Sequence, residues 1–404
     1  NYIKIIGGGI VREVVIVSAV RTACGKYGGS LSKKTPIELG SAVIAEAVKR
    51  AGIEKEMVEE VIWGNAWQAG VGPNLGRLVT VKSGLPVSTS AFTVNKRCAS
   101  GLKSVALAAQ AIRAGDADVM VAGGAEMASR APYLLPEARW GYRLGAGELQ
   151  DHLHQDGFMC PLAGMMMGAT AEVLVEEYGI TREEQDEYSF MSHKRAIAAM
   201  DSGKFTDEIL PINIGDKKNP NAVFASEEIP RRDISMQALA KLPPVFKEKG
   251  TITAGSSSAL CDGAAALVLM AREKAEALGI KPLAKILAHG QRGVDPTHMG
   301  IGPVEAVPIA LKKAGMTLKD IDLIELNEAF AGQVLAVVRD LNLDMERTNI
   351  YGGAISLGHP IGATGTKLVT TLINALRQEN KHIGMVTLCV GGGQGEAMII
   401  ERMS

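Results

Sequence analysis

The sequence lacks the features that mark several large classes of protein. Its 404 residues hold only five cysteines, Cys24, Cys98, Cys160, Cys261 and Cys389, odd in number, far apart and without a C-x-x-C pair. That excludes a disulfide framework or a cysteine zinc site as the organising principle. Free thiols fit a reducing compartment, so a cytoplasmic location is expected. Net charge is nearly absent, at a formal -1, and with it any general attraction to nucleic acid or an anionic membrane. No apolar run approaches the roughly 18 residues of a spanning helix. No signal peptide is read in the opening "NYIKIIGGGI", which precedes a strand start at "REVVIVSAVRT" and is expected to lie outside the fold as an upstream extension. What remains, 47% hydrophobic and 22% charged, suffices for two core-forming units.

Strand-like and helix-like stretches alternate at both ends of the chain. "EVVIVSAV", "VEEVIWGNA", "AFTVN" and "ADVMVAGGA" read as strands, and "PIELGSAVIAEAVKRAG" and "ASGLKSVALAAQAIRAG" as helices, the first stopped by Gly52. The last part repeats the theme, with strands at "LAKILAHG", "IDLIELNEA", "IGMVTLCV" and "GEAMIIER" and helices at "PVEAVPIALKKAG" and "GATGTKLVTTLINALRQ". Such alternation predicts layered α/β architecture.

The two parts also echo each other in order, about 260 to 270 residues apart. "AVIAEAVKRAGIEKEMVEEVIWGNA" matches "AVPIALKKAGMTLKDIDLIELNEA", "NKRCASG" matches "GHPIGATG", and "VMVAGGAEMAS" matches "TLCVGGGQGEAM". The expected arrangement is two copies of one α/β unit about a pseudo-dyad: a half over 12–125, completed by 245–280, and a half over 281–404. The stretch 126–244, irregular and rich in Met, Gly, Pro and charge, is expected to form an inserted loop domain.

Reactive side chains fall at the strand ends of this repeat, where α/β sheets bind ligands. Cys98 stands before Ala99, Ser100 and Gly101 at a helix start, where the dipole and free N–H groups favour a thiolate. It reads as a nucleophile or as a buried structural thiol, and the segment alone leaves both open. His359, among glycines and followed by a proline, is either a locally bonded turn histidine or the partner of Cys98 across the pseudo-dyad. Asn327 and Glu328 end a strand. They suit a helix cap, or an amide that holds a water or substrate oxygen. Cys389 opens onto three glycines, which implies either a tight turn beside a small thiol or bare backbone for an anion.

Taken together, "NKRCASG", "NEAFA", "GGAISLGHPIGATG" and "CVGGGQG" resemble the thiolase family, in particular its acetyl-CoA C-acetyltransferases. The resemblance runs from about Arg12 to the C-terminus through "SAVRT", "MGATAE", "REEQDEYS" and "GTITAG". It implies a duplicated α/β/α/β/α layered fold with an inserted loop domain. The implied activity is Claisen condensation of two acetyl-CoA to acetoacetyl-CoA and CoA, and the reverse thiolysis. Cys98 would carry the acyl group, and His359 would take its proton and later polarise a thioester oxygen. Cys389 would move the α-proton. Asn327 would hold a water in one oxyanion hole shared with His359, and the N–H groups of Cys98 and Gly391 would form the other. Arg231 would meet the nucleotide end of coenzyme A and Ser258 its pantetheine arm, with Phe246, Met167 and Met299 lining the tunnel. The substrates would be small acyl-CoA thioesters, with no metal, no bound redox cofactor and no nucleic-acid or membrane partner. Assembly would be a homodimer or homotetramer, with "SRAPYLLPEARWGYRLG" either a contact segment or an ordinary surface loop.

Arg97, Met166, Val173 and Ser256 depart from the family pattern, and the Met166 change leaves chain length open. The alternatives are a broader-chain 3-ketoacyl-CoA thiolase of β-oxidation, another condensing enzyme on the same fold, and a non-catalytic acyl-CoA-binding scaffold. Cys389 argues against the second, and the presence of all four reactive residues argues against the third.

Overall fold

The computed structural model describes residues 4–6 and 9–404. Lys4–Ile6 and Gly9–Val11 pair with each other, apart from the main sheet. That sheet is built from β1 (Val14–Arg21), β2 (Glu60–Gly64), β3 (Ser90–Val94), β4 (Val119–Met127), β5 (Cys261–Ala271), β6 (Ala284–Gly293), β7 (Leu323–Leu326), β8 (Ile383–Val390) and β9 (Gln394–Arg402). Their order is β7-β8-β9-β6-β1-β5-β4-β2-β3, with Gly25–Lys26 added to β5.

The expected duplication appears in this order. Outward from the centre, one side runs β1, β5, β4, β2, β3 and the other β6, β9, β8, β7. The fifth place on the second side is reduced to a parallel bridge between Ile324 and Thr348. On both sides the inner neighbours are antiparallel and the outer ones parallel. The two sides meet at only two residue pairs, Ile16–Ala284 and Val15–Lys285.

Helices α1 (Pro36–Ala51), α2 (Leu75–Lys82), α3 (Ser100–Ala114), α4 (Met167–Glu177), α5 (Arg182–Asp201), α6 (Gly302–Ala314), α7 (Ala331–Leu341) and α8 (Thr364–Gln378) cover and divide this sheet. α1 starts at a reciprocal Thr35–Glu38 capping box with Pro36 in its first turn, and stops at Gly52, whose φ is 67°. α3 and α8 form the layer between the halves. Their first turns meet where Gly101 faces the backbone of Thr366 and Gly365 faces Leu102, and a Cβ on either glycine would lie within 3 Å of the partner backbone. The reciprocity of these contacts marks the pseudo-dyad.

α8 is buried from Thr364 to Leu376 despite its threonines and a lysine. Their polar atoms are bonded internally: Thr370 Oγ1 donates to the Thr366 carbonyl at 2.9 Å, and Lys367 Nζ donates to the Leu357 and Gly358 carbonyls at 2.9 and 2.8 Å. Arg21, at the end of β1, is tied to Glu208 and Glu227 at 2.6 and 2.5 Å, anchoring the segment before β5 to the sheet. Among the described residues no helix is long and apolar enough to cross a membrane.

Candidate active site

Cys98 lies in the 3₁₀ turn Arg97–Ala99 that leads from β3 into α3. Ser100 pins this turn: its hydroxyl donates to the Arg97 carbonyl at 2.7 Å and accepts the Lys96 N–H at 2.8 Å. Arg97 has a φ of 50°, in the left-handed region, a conformation that costs a non-glycine residue about 1–3 kcal/mol and recurs at functional turns. Its guanidinium donates to the carbonyls of Asp156 and Gly157, so it pairs with backbone oxygens rather than an acid.

The half-buried Cys98 sulfur feels the backbone N–H groups of Gly391 and of Cys98 itself. Burial nonetheless pushes this thiol above its ordinary range. The Gly391 N–H, the Arg97 charge and its own N–H pull it down, and the Glu126 charge pushes it up. The helix start therefore does not yield the resting thiolate expected from sequence, because desolvation outweighs it. Such a thiol needs a base.

His359 has the tautomer a base requires. Its Nδ1 lies 2.6 Å from Thr364 Oγ1, whose own proton goes to the Pro360 carbonyl at 2.9 Å. Nδ1 therefore carries the hydrogen, and the Nε2 lone pair, buried and without a partner in the protein, is free to accept a proton. Burial, then the Lys367 charge, pull the imidazole down to about 3, so it rests neutral. Thr364 and Lys367 escape the sequence reading. Thr364 lies within the quoted "GHPIGATG", and its signal is its spacing of five residues from His359.

Cys389 is the penultimate residue of β8 and fully buried. Burial, then the nearby Cys98 charge, drive its thiol far above the ordinary range. The two sulfurs thus differ in how readily they ionise, and each resists a charge on the other. The three glycines divide their work. Gly392 and Gly393, at φ 88° and 81°, make the turn into β9. Gly391 brings its backbone against Met167 and Arg97, where a Cβ would lie 3.1 Å from Met167 Cε.

Asn327 follows β7, beside the end of β8, with its N–H on the Thr387 carbonyl at 3.0 Å. Its side chain is fully buried and neither amide atom has a protein partner. A buried amide in that state is suited to a water or a substrate oxygen. It does not cap a helix, since α7 begins at Ala331 with Phe330 at its cap position. Glu328 is structural: its carboxylate accepts from Tyr188, Ser192, Asn349 and the Ile355 N–H at 2.8–3.1 Å.

Arg231 is exposed on a cleft of about 450 Å³ that His193, Ala254, Gly255 and Ser257 also line. Ser258, next along, donates its N–H to the Ala329 carbonyl at 2.9 Å. Met167, Met299 and Phe246 share one apolar cluster with Cys389, with Phe246 edge-on to Phe330 at 5.6 Å. Among the departures from pattern, Ser256 accepts the Thr253 N–H at 2.9 Å and Met166 precedes α4. Nothing in the structure explains Val173. No group of three or more His, Cys, Asp or Glu side chains arranged to hold a metal occurs among the described residues.

One consequence is measurable. Because the folded thiol of Cys98 titrates above its ordinary value of 9.0, its thiolate fraction grows throughout the neutral and mildly basic range. Alkylation of Cys98 by iodoacetamide, followed by peptide mapping against pH, is expected to accelerate steadily without a plateau below about pH 9. A plateau near pH 7 would contradict it.

Family models for the thiolase N-terminal and C-terminal domains match residues 14–273 and 280–402. An acetyl-CoA acetyltransferase of Escherichia coli is 52% identical across 98% of this chain and all of that protein. The beta-ketothiolase BktB of Cupriavidus necator is 46% identical over the same shares. The crystal structure of the Bacillus anthracis acetyl-CoA acetyltransferase superposes with a TM-score of 0.95 at 45% identity, covering 97% of this chain and 99% of that one.

Proposed function

Since the chain belongs to the thiolase family and is an acyltransferase, we propose that it works as an acetyl-CoA C-acetyltransferase, joining two acetyl-CoA into acetoacetyl-CoA and CoA and running the reverse thiolysis. The observation that carries this reading is the nearness of two thiols of unequal acidity, in a chain that also keeps two buried polar groups without a partner among the described residues, Asn327 and His359 Nε2.

In the reading, His359 Nε2 takes the Cys98 proton and the sulfur attacks the thioester carbon of the first acetyl-CoA. The oxygen charge falls to the N–H groups of Cys98 and Gly391, which act on the sulfur in the resting site. One good donor to such an oxyanion contributes about 2.7–4 kcal/mol. Departing CoA takes the proton of Cys389, leaving acetyl-Cys98, a Cys389 thiolate and a protonated His359. Acylation removes the Cys98 charge that opposed ionisation of Cys389, so the second thiol becomes a base when a base is needed. It removes the α-proton of the second acetyl-CoA. The His359 Nε2–H and a water on Asn327 hold the enolate oxygen while its carbon attacks acetyl-Cys98. The released Cys98 sulfur recovers the proton from His359, and every proton is accounted for.

Arg231 serves the nucleotide end of CoA and Ser258 the pantetheine arm, with Phe246, Met167 and Met299 around the acyl tunnel. The enzyme works in the cytoplasm as a homodimer or homotetramer and binds no cofactor beyond its CoA thioesters. The exposed Tyr133, Leu135, Trp140 and Leu144 support a contact between copies along that loop. The likeness to a beta-ketothiolase keeps one rival reading, a broader chain-length range. Thiolysis rates with free CoA, from acetoacetyl-CoA to a medium-chain 3-ketoacyl-CoA, decide between them. A sharp preference for acetoacetyl-CoA is expected, and equal or better rates on longer chains would overturn it.

A further inference from the structure

The pseudo-dyad gives the residues of the site counterparts in the other half. Gly64 lies beside Gly124 in one parallel pair, and Leu326 beside Thr387 in the other. One residue beyond Gly64 and Leu326, Asn65 corresponds to Asn327. Two beyond Gly124 and Thr387, Glu126 corresponds to Cys389. The reciprocal helix contacts align Gly101 with Gly365, so three residues earlier Cys98 corresponds to Gly362. The N-terminal half therefore repeats the frame of the site, and its own carboxylate fills it.

Glu126 is 1% exposed. Its Oε1 accepts Asn65 Nδ2 at 2.6 Å and the Trp67 N–H at 3.2 Å, and its Oε2 accepts the Ala66 N–H at 2.8 Å and the Gly362 N–H at 2.9 Å. Four donors converge on two oxygens, a set that favours the ionised form, while burial pushes the carboxyl up to about 7, so its charge grows in through neutral pH. Two of its links matter to the chemistry. Gly362 is part of the Pro360–Ala363 turn that follows His359, closed by the Ala363 N–H on the Pro360 carbonyl at 2.7 Å. The Glu126 charge also reaches the Cys98 sulfur. Arg97, from the same turn as Cys98, pulls that sulfur the other way, and a charge on Cys98 in turn raises Cys389 in β8.

We propose that Glu126 is a positioning residue for acyl transfer: through its hydrogen bond from the Gly362 N–H it holds the loop that carries His359. The inference rests on the reading of Cys98 as acyl carrier and His359 as its base. Glu126 touches neither substrate nor reacting atom in that reading and acts through those two residues.

Two variants test it. Glu126→Gln removes the charge and can accept only half of the four donors. Its kcat is expected to fall at least about tenfold, equivalent to one lost interaction at the barrier, with KM for acetyl-CoA within about twofold. The pH midpoint of Cys98 alkylation by iodoacetamide should fall by about half a pH unit or more, because an opposing charge is gone. Glu126→Asp keeps the charge but shortens its reach, so kcat should fall while the alkylation midpoint stays at the wild-type value. If Glu126→Gln does not fold, the aspartate variant alone decides through its kcat. Variants that lose only thermal stability, with kcat and midpoint unchanged, would overturn the proposal and leave Glu126 a purely structural carboxylate. Wild-type enzyme that alkylates normally at Cys98 but turns over no acyl-CoA would sink the acyltransfer reading, while the alkylation midpoints would still test the Glu126 charge.

Discussion

Replacing Cys98 with alanine is expected to abolish both condensation and thiolysis, lowering kcat by about 10⁴-fold or more, because every step of the cycle passes through sulfur on this residue. The variant should fold normally. Cys98 is only half-buried, and losing one sulfur there removes little core packing. Radiolabelled acetyl-CoA should leave no acid-stable label on the protein, whereas wild type should retain acetyl on the peptide that contains Cys98. Residual turnover within about tenfold of wild type would mean that acyl transfer runs through another group.

The second large effect separates two half-reactions. With Cys389→Ala the proton carrier is gone but the acyl carrier and its base remain. Carbon–carbon bond formation and cleavage are expected to fall by about 10³-fold or more. Exchange of acetyl between acetyl-CoA and an added thiol, which needs Cys98 and His359 but no α-proton transfer, should persist within about one to two orders of magnitude. Because Cys389 belongs to a packed apolar cluster with Met167 and Met299, serine would also test whether shape alone accounts for the loss. A serine enzyme that still condenses efficiently would remove the proton-carrier role. If exchange and condensation fell together in both variants, the division of labour between the thiols would be wrong.

Much of this arrangement could be read from sequence where local signals agree. Gly52 marked the end of α1, and the ordered echo of motifs anticipated the duplicated sheet. β5 was harder to see. "CDGAAALVLMA" is buried at every position, so it lacks strand alternation, and its alanines favour helix in isolation. α8 concealed its depth in the same way, since its threonines look like a wetted face until their internal hydrogen bonds are known.

At the site, the motifs marked Cys98, Asn327 and Cys389 where strands end, whereas His359, expected at a strand end, follows the short helix Ala354–Leu357. Protonation states were beyond reach. Whether His359 donates or accepts at Nε2 depends on where the Thr364 proton goes, and whether Cys98 rests as a thiol depends on a balance of burial against N–H groups from residues far along the chain. Glu126 stayed hidden for a related reason. A glutamate after two glycines and an alanine reads as a loop entrance until four donors are found around it.

The thin seam between β1 and β6 bears on how the molecule acquires its activity. Each half closes most of its strand pairing internally, while Cys98 belongs to one half and Gly391, whose N–H acts on its sulfur, to the other. Local structure can therefore return before the two halves dock, and catalysis cannot. In refolding from denaturant, far-ultraviolet circular dichroism should recover first and enzymatic activity in a later, slower phase, as expected when contacts distant in sequence close last. The catalytic centre is thus a built-in reporter of the final assembly of its own fold.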